Sequence, residues 1–364
     1  MRRGQPDFVI FLVTLALVGL GLIMVFSASM AKANELYGDA AYFFKRQFLW
    51  ALLGGAAMLV TMRVDYRRYR ELAGPLLLVT VILLLVVLLP GVGREVHGSR
   101  RWLGFGSLGL QPSELAKLAV VVYAAVGLAR RPDQVGRFVT GILPWIALIS
   151  VLFLLVLQQP DLGTAIAIAG SLFFLLFMAG ARLGHLGALV AAALPVLAWA
   201  VVSAEYRLRR LIAHLRPFDD PLGSGFHIIQ SLYALGTGRI FGVGLGQSVQ
   251  KYFYLPEQHT DFIFAILGEE LGLIGGLVVI LLFVVFAWRG YRAALTAPDT
   301  LGCLLAAGMT TMVVLQAVIN IGVVTATLPI TGIPLPFVSF GGNSLLFSMM
   351  GVGVLLNVSR YGKG

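Results

Sequence analysis

Ten mostly apolar stretches recur along the 364 residues, near 8–28, 47–62, 72–89, 114–129, 139–157, 162–180, 184–202, 261–287, 300–322 and 342–358. A segment that crosses a bilayer needs about 20 such residues, and it must satisfy its own backbone polar groups, which favours helices. Composition agrees: 59% of the residues are hydrophobic and 12% are charged, against about 25% charged in an ordinary soluble domain. So few charges could not cover a soluble protein of this size. The low charge also excludes disorder, and a single cysteine excludes a disulfide scaffold. The expected fold is an all-α integral membrane protein in which residues 1–364 form one polytopic domain of ten transmembrane helices. Arg2 and Arg3 precede the first stretch, as in a signal peptide. Its apolar run is too long for one and nine more follow, so an uncleaved first helix is expected.

Orientation follows from Lys and Arg in the short connections. With the N-terminus in the cytoplasm, the inner face carries Arg2, Arg3, Arg63, Arg67, Arg68, Arg70, Arg130, Arg131, Arg137, Arg182, Arg289, Arg292, Arg360 and Lys363. These fourteen bases meet five acids (Asp7, Asp65, Glu71, Asp133 and Asp299), a net of +9, while the other thirteen bases and twelve acids leave +1 outside. Both termini are therefore expected in the cytoplasm. Topology accounts for most of the net +10, and no nucleic-acid partner is implied.

Residues 203–260 form the one long connection, on the outer side, and loops of that length usually have a purpose. Within it, Leu208, Leu211, Ile212 and Leu215 follow the spacing of one helix face, with Arg207, Arg209, Arg210 and Arg216 largely on other faces and Pro217 as a stop. A short basic helix of this kind lies in the membrane interface against lipid. Two readings are open: a generic anchor, or arginines that grip a phosphate-bearing lipid, since their forks match phosphate geometry. A second short helix is expected over 225–235. The Gly-rich run 236–247 has no flanking strand and no P-loop lysine, so tight turns between re-entrant helices are expected and no nucleotide cofactor.

Ionisable residues near membrane depth are functional candidates. Glu114 and Lys117 share a helix face at i, i+3; they form either a mutual ion pair or an anion site in which Glu114 orients Lys117. Asp161 suits an N-cap of the sixth span. Asp261 opens the eighth, after Leu255-Pro256-Glu257-Gln258-His259-Thr260. Glu269 and Glu270 fall about 12–14 Å deeper at 1.5 Å per residue, too deep for an interfacial substrate, which suggests helix packing or proton-linked pairing. Neither HExxH nor CxxC occurs, His97, His185, His214, His227 and His259 are scattered, and Cys303 lies inside a span.

The chain resembles the SEDS family (shape, elongation, division and sporulation proteins), most closely its RodA branch, with FtsW as the division counterpart. The resemblance rests on Arg101-Trp102-Leu103, Gln111-Pro112-Ser113-Glu114-Leu115-Ala116-Lys117 and Gln159-Pro160-Asp161-Leu162-Gly163-Thr164. It continues through Arg216-Pro217-Phe218, Leu255 to Ala265, Gly268-Glu269-Glu270-Leu271-Gly272 and Gly332 to Gly342. Phe340 stands where the family often has Tyr, and Gln258 where Ala is common. The resemblance implies an inverting, β-1,4-bond-forming peptidoglycan glycosyltransferase that polymerises lipid II, an undecaprenyl pyrophosphate-linked disaccharide-pentapeptide, during cell elongation. It would act at the outer membrane face, beside a class B penicillin-binding protein. It makes Asp261 the catalytic acid and the candidate ligand of a divalent cation (Mg or Mn). Lys117, Glu114, Arg207, Arg210, Arg216, Glu257 and His259 are the substrate-binding candidates. Gly268, Gly272, Gly275 and Gly276 would suit either a partner helix or internal packing. A lipid II flippase and a noncatalytic scaffold are the alternatives.

Overall fold

A computed structural model of the chain describes residues 4–96, 99–104, 109–252 and 254–362. Arg2, Arg3 and Lys363 of the charge count, and His97, lie outside the described residues. Ten helices coincide with the ten apolar stretches: α1 (Phe8–Tyr37), α2 (Tyr42–Arg63), α3 (Tyr69–Val86), α4 (Pro112–Arg130), α5 (Leu143–Leu157), α6 (Leu162–Met178), α7 (Leu183–Val202), α10 (Ile263–Leu295), α11 (Thr300–Val324) and α12 (Gly342–Ser359). The remaining two, α8 (Glu205–Leu215) and α9 (Phe226–Gly238), occupy the long loop, as its amphipathic spacing predicts. Among the described residues, eight helical segments are long and apolar enough to cross a membrane; α6 is shorter, and α2 opens on the polar Lys45, Arg46 and Gln47.

Local chemistry sets the helix ends. The Asp7 carboxylate accepts from the Val9 and Ile10 amides at 3.0 and 3.2 Å, and Arg289 of α10 donates to it at 2.6 Å. Asp161 and Asp299 cap α6 and α11 through Thr164 N (3.2 Å) and Gly302 N (2.8 Å). Gly38, at φ 66°, terminates α1 in the left-handed conformation. The connection between α3 and α4 adds a feature that apolar periodicity does not reveal, a short antiparallel hairpin of β1 (Arg94–Val96) and β2 (Ser99–Trp102).

Helices α4, α11 and α12 form the buried centre, and α7 stands at the periphery. Where α2 meets α12, the Gly353 backbone lies so close that a Cβ would come within 2.4 Å of the Met58 carbonyl.

The helix that follows the long loop is broken. Gly272, inside α10, has φ 67° and ψ −167°, which an L side chain rarely adopts. The segment after α9 takes up the freed backbone groups. Leu273 N donates to Arg239 O at 2.9 Å and Ile274 N to Ile240 O at 3.2 Å; Val243 N and Gly244 N donate to the Glu269 and Glu270 carbonyls, both at 3.0 Å. Residues 239–244 therefore run beside the helix break, where turns are expected. Gly268 packs against Leu235 of α9 and Gly272 against this segment, so both serve internal packing.

A Cβ at Gly272 would sit 2.3 Å from Gly242 N and 2.5 Å from Ile240 O. Gly272→Ala should destabilise the protein by roughly 1–3 kcal/mol or more, visible as a lower melting temperature in detergent. Gly276→Ala, which meets only Phe264 at 3.5 Å, should leave that temperature nearly unchanged.

Candidate active site

Asp261 lies in the turn that precedes α10, outside the spanning helix, and its side chain is partly accessible. Two surrounding elements hold the backbone of residues 259–261. Asn320 of α11 donates through Nδ2 to the Asp261 and Ile333 carbonyls, both at 2.7 Å. Ser339 donates to Thr260 O at 2.6 Å and accepts from Leu335 N at 2.8 Å, and Phe340 N donates to His259 O at 2.9 Å. Gly332, at φ 77°, brings its backbone past the carboxylate, where a Cβ would lie 3.6 Å from Asp261 Oδ2. Glu257 and Phe337 adopt φ of 52° and 66°. Left-handed non-glycine residues on two facing loops mark a site whose surroundings over-determine its backbone.

The charges around Asp261 come from separate parts of the chain. Burial pushes its carboxyl up to about 7; the negative charges of Glu257 and Asp161 push the same way, against Arg210 and Arg101. Arg101, on β2, donates to Gln159 O at 2.8 Å and to Pro160 O, and pairs with Asp161 at 3.8 Å. Gly163 packs α6 against the same place, since a Cβ there would meet Thr331 O at 2.9 Å. Four buried polar atoms here have no hydrogen-bond partner among the described residues: Gln159 Oε1 and Nε2, Asn320 Oδ1 and Thr331 Oγ1. Buried polar atoms are ordinarily satisfied. Several orphans on the elements around a carboxyl held near neutrality suit a polar ligand site.

The other candidates separate into two groups. Arg210 faces the site: its charge opposes that of Asp261, and with burial it keeps His227 of α9 below the usual histidine range. Glu257 accepts from Thr260 Oγ1 at 2.9 Å. Arg207 instead binds Ala200 O at the end of α7 (2.6 Å) and the Tyr206 hydroxyl (2.8 Å), and Arg216 is exposed, 3.8 Å from Asp219. His259 is buried against the rings of Phe43 and Phe340, 4.6 and 5.6 Å away. Burial and the nearby Lys32 charge lower its pKa to about 4, so it is neutral near pH 7.

Lys117 and Glu114 form a buried ion pair at 2.8 Å, each side chain 5% exposed. Lys117 also donates to Gln316 Oε1 at 2.6 Å, and Gln316 Nε2 donates to Pro334 O at 2.9 Å and Ser344 Oγ at 3.1 Å. The pair thus braces, through Gln316, the loop that carries Gly332 and Ser339. Among the described residues no cluster of three His, Cys, Asp or Glu side chains could hold a metal ion.

Sequence reasoning missed Asn320, Ser339, Gln159 and Thr331. Gln159 and Ser339 stood in motifs already singled out, and nothing in the spacing of Asn320 and Thr331 signals that they join them.

Lys117→Met leaves Glu114 buried without its cation and should cost on the order of 3–5 kcal/mol, measured as detergent stability. Glu114→Leu combined with Lys117→Met should recover most of that loss. A single Lys117→Met variant with unchanged stability would show that the pair does not brace the loop.

The FtsW/RodA/SpoVE family model, described as cell cycle protein, matches residues 7–364. Stage V sporulation protein E of Bacillus subtilis is 48% identical, over 100% of this chain and 99% of its own. The probable peptidoglycan glycosyltransferase FtsW of Geobacter metallireducens is 47% identical, over 98% and 96%. Among solved structures, a chain from a peptidoglycan synthase complex studied for the coordination of polymerization and crosslinking aligns over 98% of both chains, with TM-score 0.80 and 30% identity. The rod shape determining protein RodA of Thermus thermophilus aligns over 98% of this chain and 97% of its own, with TM-score 0.73 and 28% identity. With the sequence match spanning nearly the whole chain and the helical membrane fold shared with these structures, the chain belongs to the FtsW/RodA/SpoVE (SEDS) family of multi-pass membrane proteins.

Proposed function

We propose that this protein is a peptidoglycan glycosyltransferase that polymerises lipid II at the outer face of the bacterial cytoplasmic membrane, with Asp261 as the group that carries the chemistry. The observation behind this reading is a carboxyl held near neutrality whose surrounding elements carry four unpartnered buried polar atoms. The names of the curated relatives supply the reaction class. Glycosyl transfer from a pyrophosphate needs a sugar hydroxyl that becomes more nucleophilic as it attacks the anomeric carbon. A carboxylate in hydrogen-bond reach accepts that proton, an effect worth about 10²–10⁴-fold. A single displacement on an α-linked donor inverts it to the β-1,4 linkage. Gln159, Asn320 and Thr331 offer the donors and acceptors that would orient sugar groups, and Arg210 the guanidinium for a phosphate. Arg207 and Arg216 keep α8 in the interface beside membrane lipid. The donor is already activated, so the reading needs neither a nucleotide cofactor nor nucleic acid.

A divalent cation such as Mg or Mn is held in many sites by one or two carboxylates together with substrate phosphates. Asp261 suits that arrangement, with the phosphates supplying the remaining ligands. A bound cation would neutralise the leaving pyrophosphate.

The proposed topology has ten spans, both termini in the cytoplasm and residues 203–260 outside. A cross-linking partner of the class B penicillin-binding type is inferred from the solved complex that this chain resembles. The sequence resemblance points to cell elongation, whereas relatives at 45–48% identity carry division and sporulation names, which favours the division and sporulation branch. A fluorescent fusion that follows the lateral wall would restore elongation; one at the septum supports division.

Asp261→Asn should fold, keep its melting temperature and bind lipid II, yet polymerise it about 10²–10⁴-fold more slowly in detergent. Normal polymer from that variant ends the catalytic assignment, and a pure wild-type protein that makes none returns the flippase and scaffold readings. A protonated carboxyl cannot accept a proton, so wild-type kcat should fall as pH drops through about 7. Glu257→Gln removes a charge that raises the Asp261 pKa, so its acid limb should move to lower pH; an unmoved limb would detach the pH profile from Asp261.

A further inference from the structure

Two buried glutamates hold the segment that leads to Asp261. Glu269 and Glu270, at 1% and 0% exposure, lie on the part of α10 before its break. Depth along the helix suggests that they are remote from the outer loop, yet the loop comes to them. Glu269 accepts from the amides of Val249 (3.0 Å) and Gln250 (3.3 Å) and from the Ser248 hydroxyl. Glu270 accepts from Ser27 of α1 at 2.7 Å and pairs with Lys251 at 3.0 Å. Lys251, itself 1% exposed, donates to Gly246 O at 2.6 Å and to Ser27 Oγ at 3.2 Å.

A buried ion pair with this many partners is a poor source of net stability, because apolar residues of equal volume often do as well. Unlike apolar packing, it admits one register. Serine hydroxyls, main-chain amides and one ammonium match the two carboxylates only when residues 248–251 sit at one height against α10. That register passes forward, since Leu255 N donates to Gln250 O at 3.0 Å and Gln258 Nε2 to Lys251 O at 3.4 Å. Phe262 N then donates to Glu257 O at 3.3 Å. Asp261 thus hangs between two anchors: the Ser27–Lys251–Glu270 cluster with Glu269, and the contacts of Asn320 and Ser339.

We infer that Lys251, Glu270 and Ser27, with Glu269, are positioning residues that set where the Asp261 carboxylate stands relative to the reacting sugar. This inference rests on the reading of Asp261 as the chemical group, and its test separates the two. The variant is Lys251→Met with Glu270→Gln, which removes the tie without stranding either charge of the pair. Spin labels at Leu36→Cys and Tyr254→Cys, both exposed positions, with the single cysteine changed as Cys303→Ser, report the distance from α1 to the loop. The expected result has three parts: a melting temperature close to that of the wild type, a broadened distance distribution, and a fall in kcat for lipid II on the order of 10²-fold with KM unchanged. Lys251→Arg, which keeps the charge, should restore both distance and kcat in part. Wild-type kcat, with or without broadening, would overturn the inference. So would a loss of kcat that follows a loss of melting temperature while the distances stay sharp. An Asp261→Asn variant that polymerises normally would remove the underlying reading instead, and the label distances report the tie independently of it.

Discussion

Backbone polar groups at membrane depth have no water to turn to, and each one left open costs several kcal/mol. A helix broken at Gly272 therefore forms only if another piece of chain supplies the missing partners. Residues 239–244 do so, with four main-chain hydrogen bonds of 2.9–3.2 Å that link them to residues 269–274. The long connection is consequently a folded insertion between α7 and α10. Its path fixes where residues 248–251 meet Glu269 and Glu270, and from there where Asp261 stands at the head of α10.

Buried charge is arranged on one pattern through most of the molecule. Lys117 with Glu114 and Lys251 with Glu270 are each almost fully enclosed, and each is tied to further polar groups. Such pairs are kept only when the remaining donors and acceptors are met. Both serve loops: the first braces 332–339 through Gln316, the second braces 248–251. Asp261 departs from the pattern. Among the described residues no side chain forms a close ion pair with it, two acids raise its pKa, and two arginines act on it less strongly than burial does. Stability alone would favour a partner there; a proton acceptor poised near neutral pH needs the absence of one.

The site also explains why so few residues need be chemical. Under the proposed reading, an activated pyrophosphate donor would supply the driving force, and the protein would have to place a hydroxyl, accept a proton and tolerate a departing anion. Placement falls to main-chain-anchored groups on α11, the 331–341 loop and the turn before α6, all of them held by the buried centre of α4, α11 and α12. Rigid elements hold such geometry better than free loops do.

The sequence by itself determined the helical membrane class, the positions of the ten apolar helices, the amphipathic α8 and the cap at Asp161. Each depends on residues within a few positions of one another and on a single periodicity. Motif resemblance singled out Asp261 and its neighbour Glu257. Only the tertiary structure distinguished Arg210, whose charge acts on Asp261, from Arg207, bound to the end of α7, and Arg216, beside Asp219; helical spacing assigns a face but not what the face meets. Only it turned His259 into a packed, neutral ring, and brought Glu269 and Glu270 to a loop that counting residues along α10 places far away. Asn320 and Ser339 lie 59 and 79 residues from the carbonyls they hold. Contacts of that span come from the packing of whole helices, for which one sequence carries no local signal.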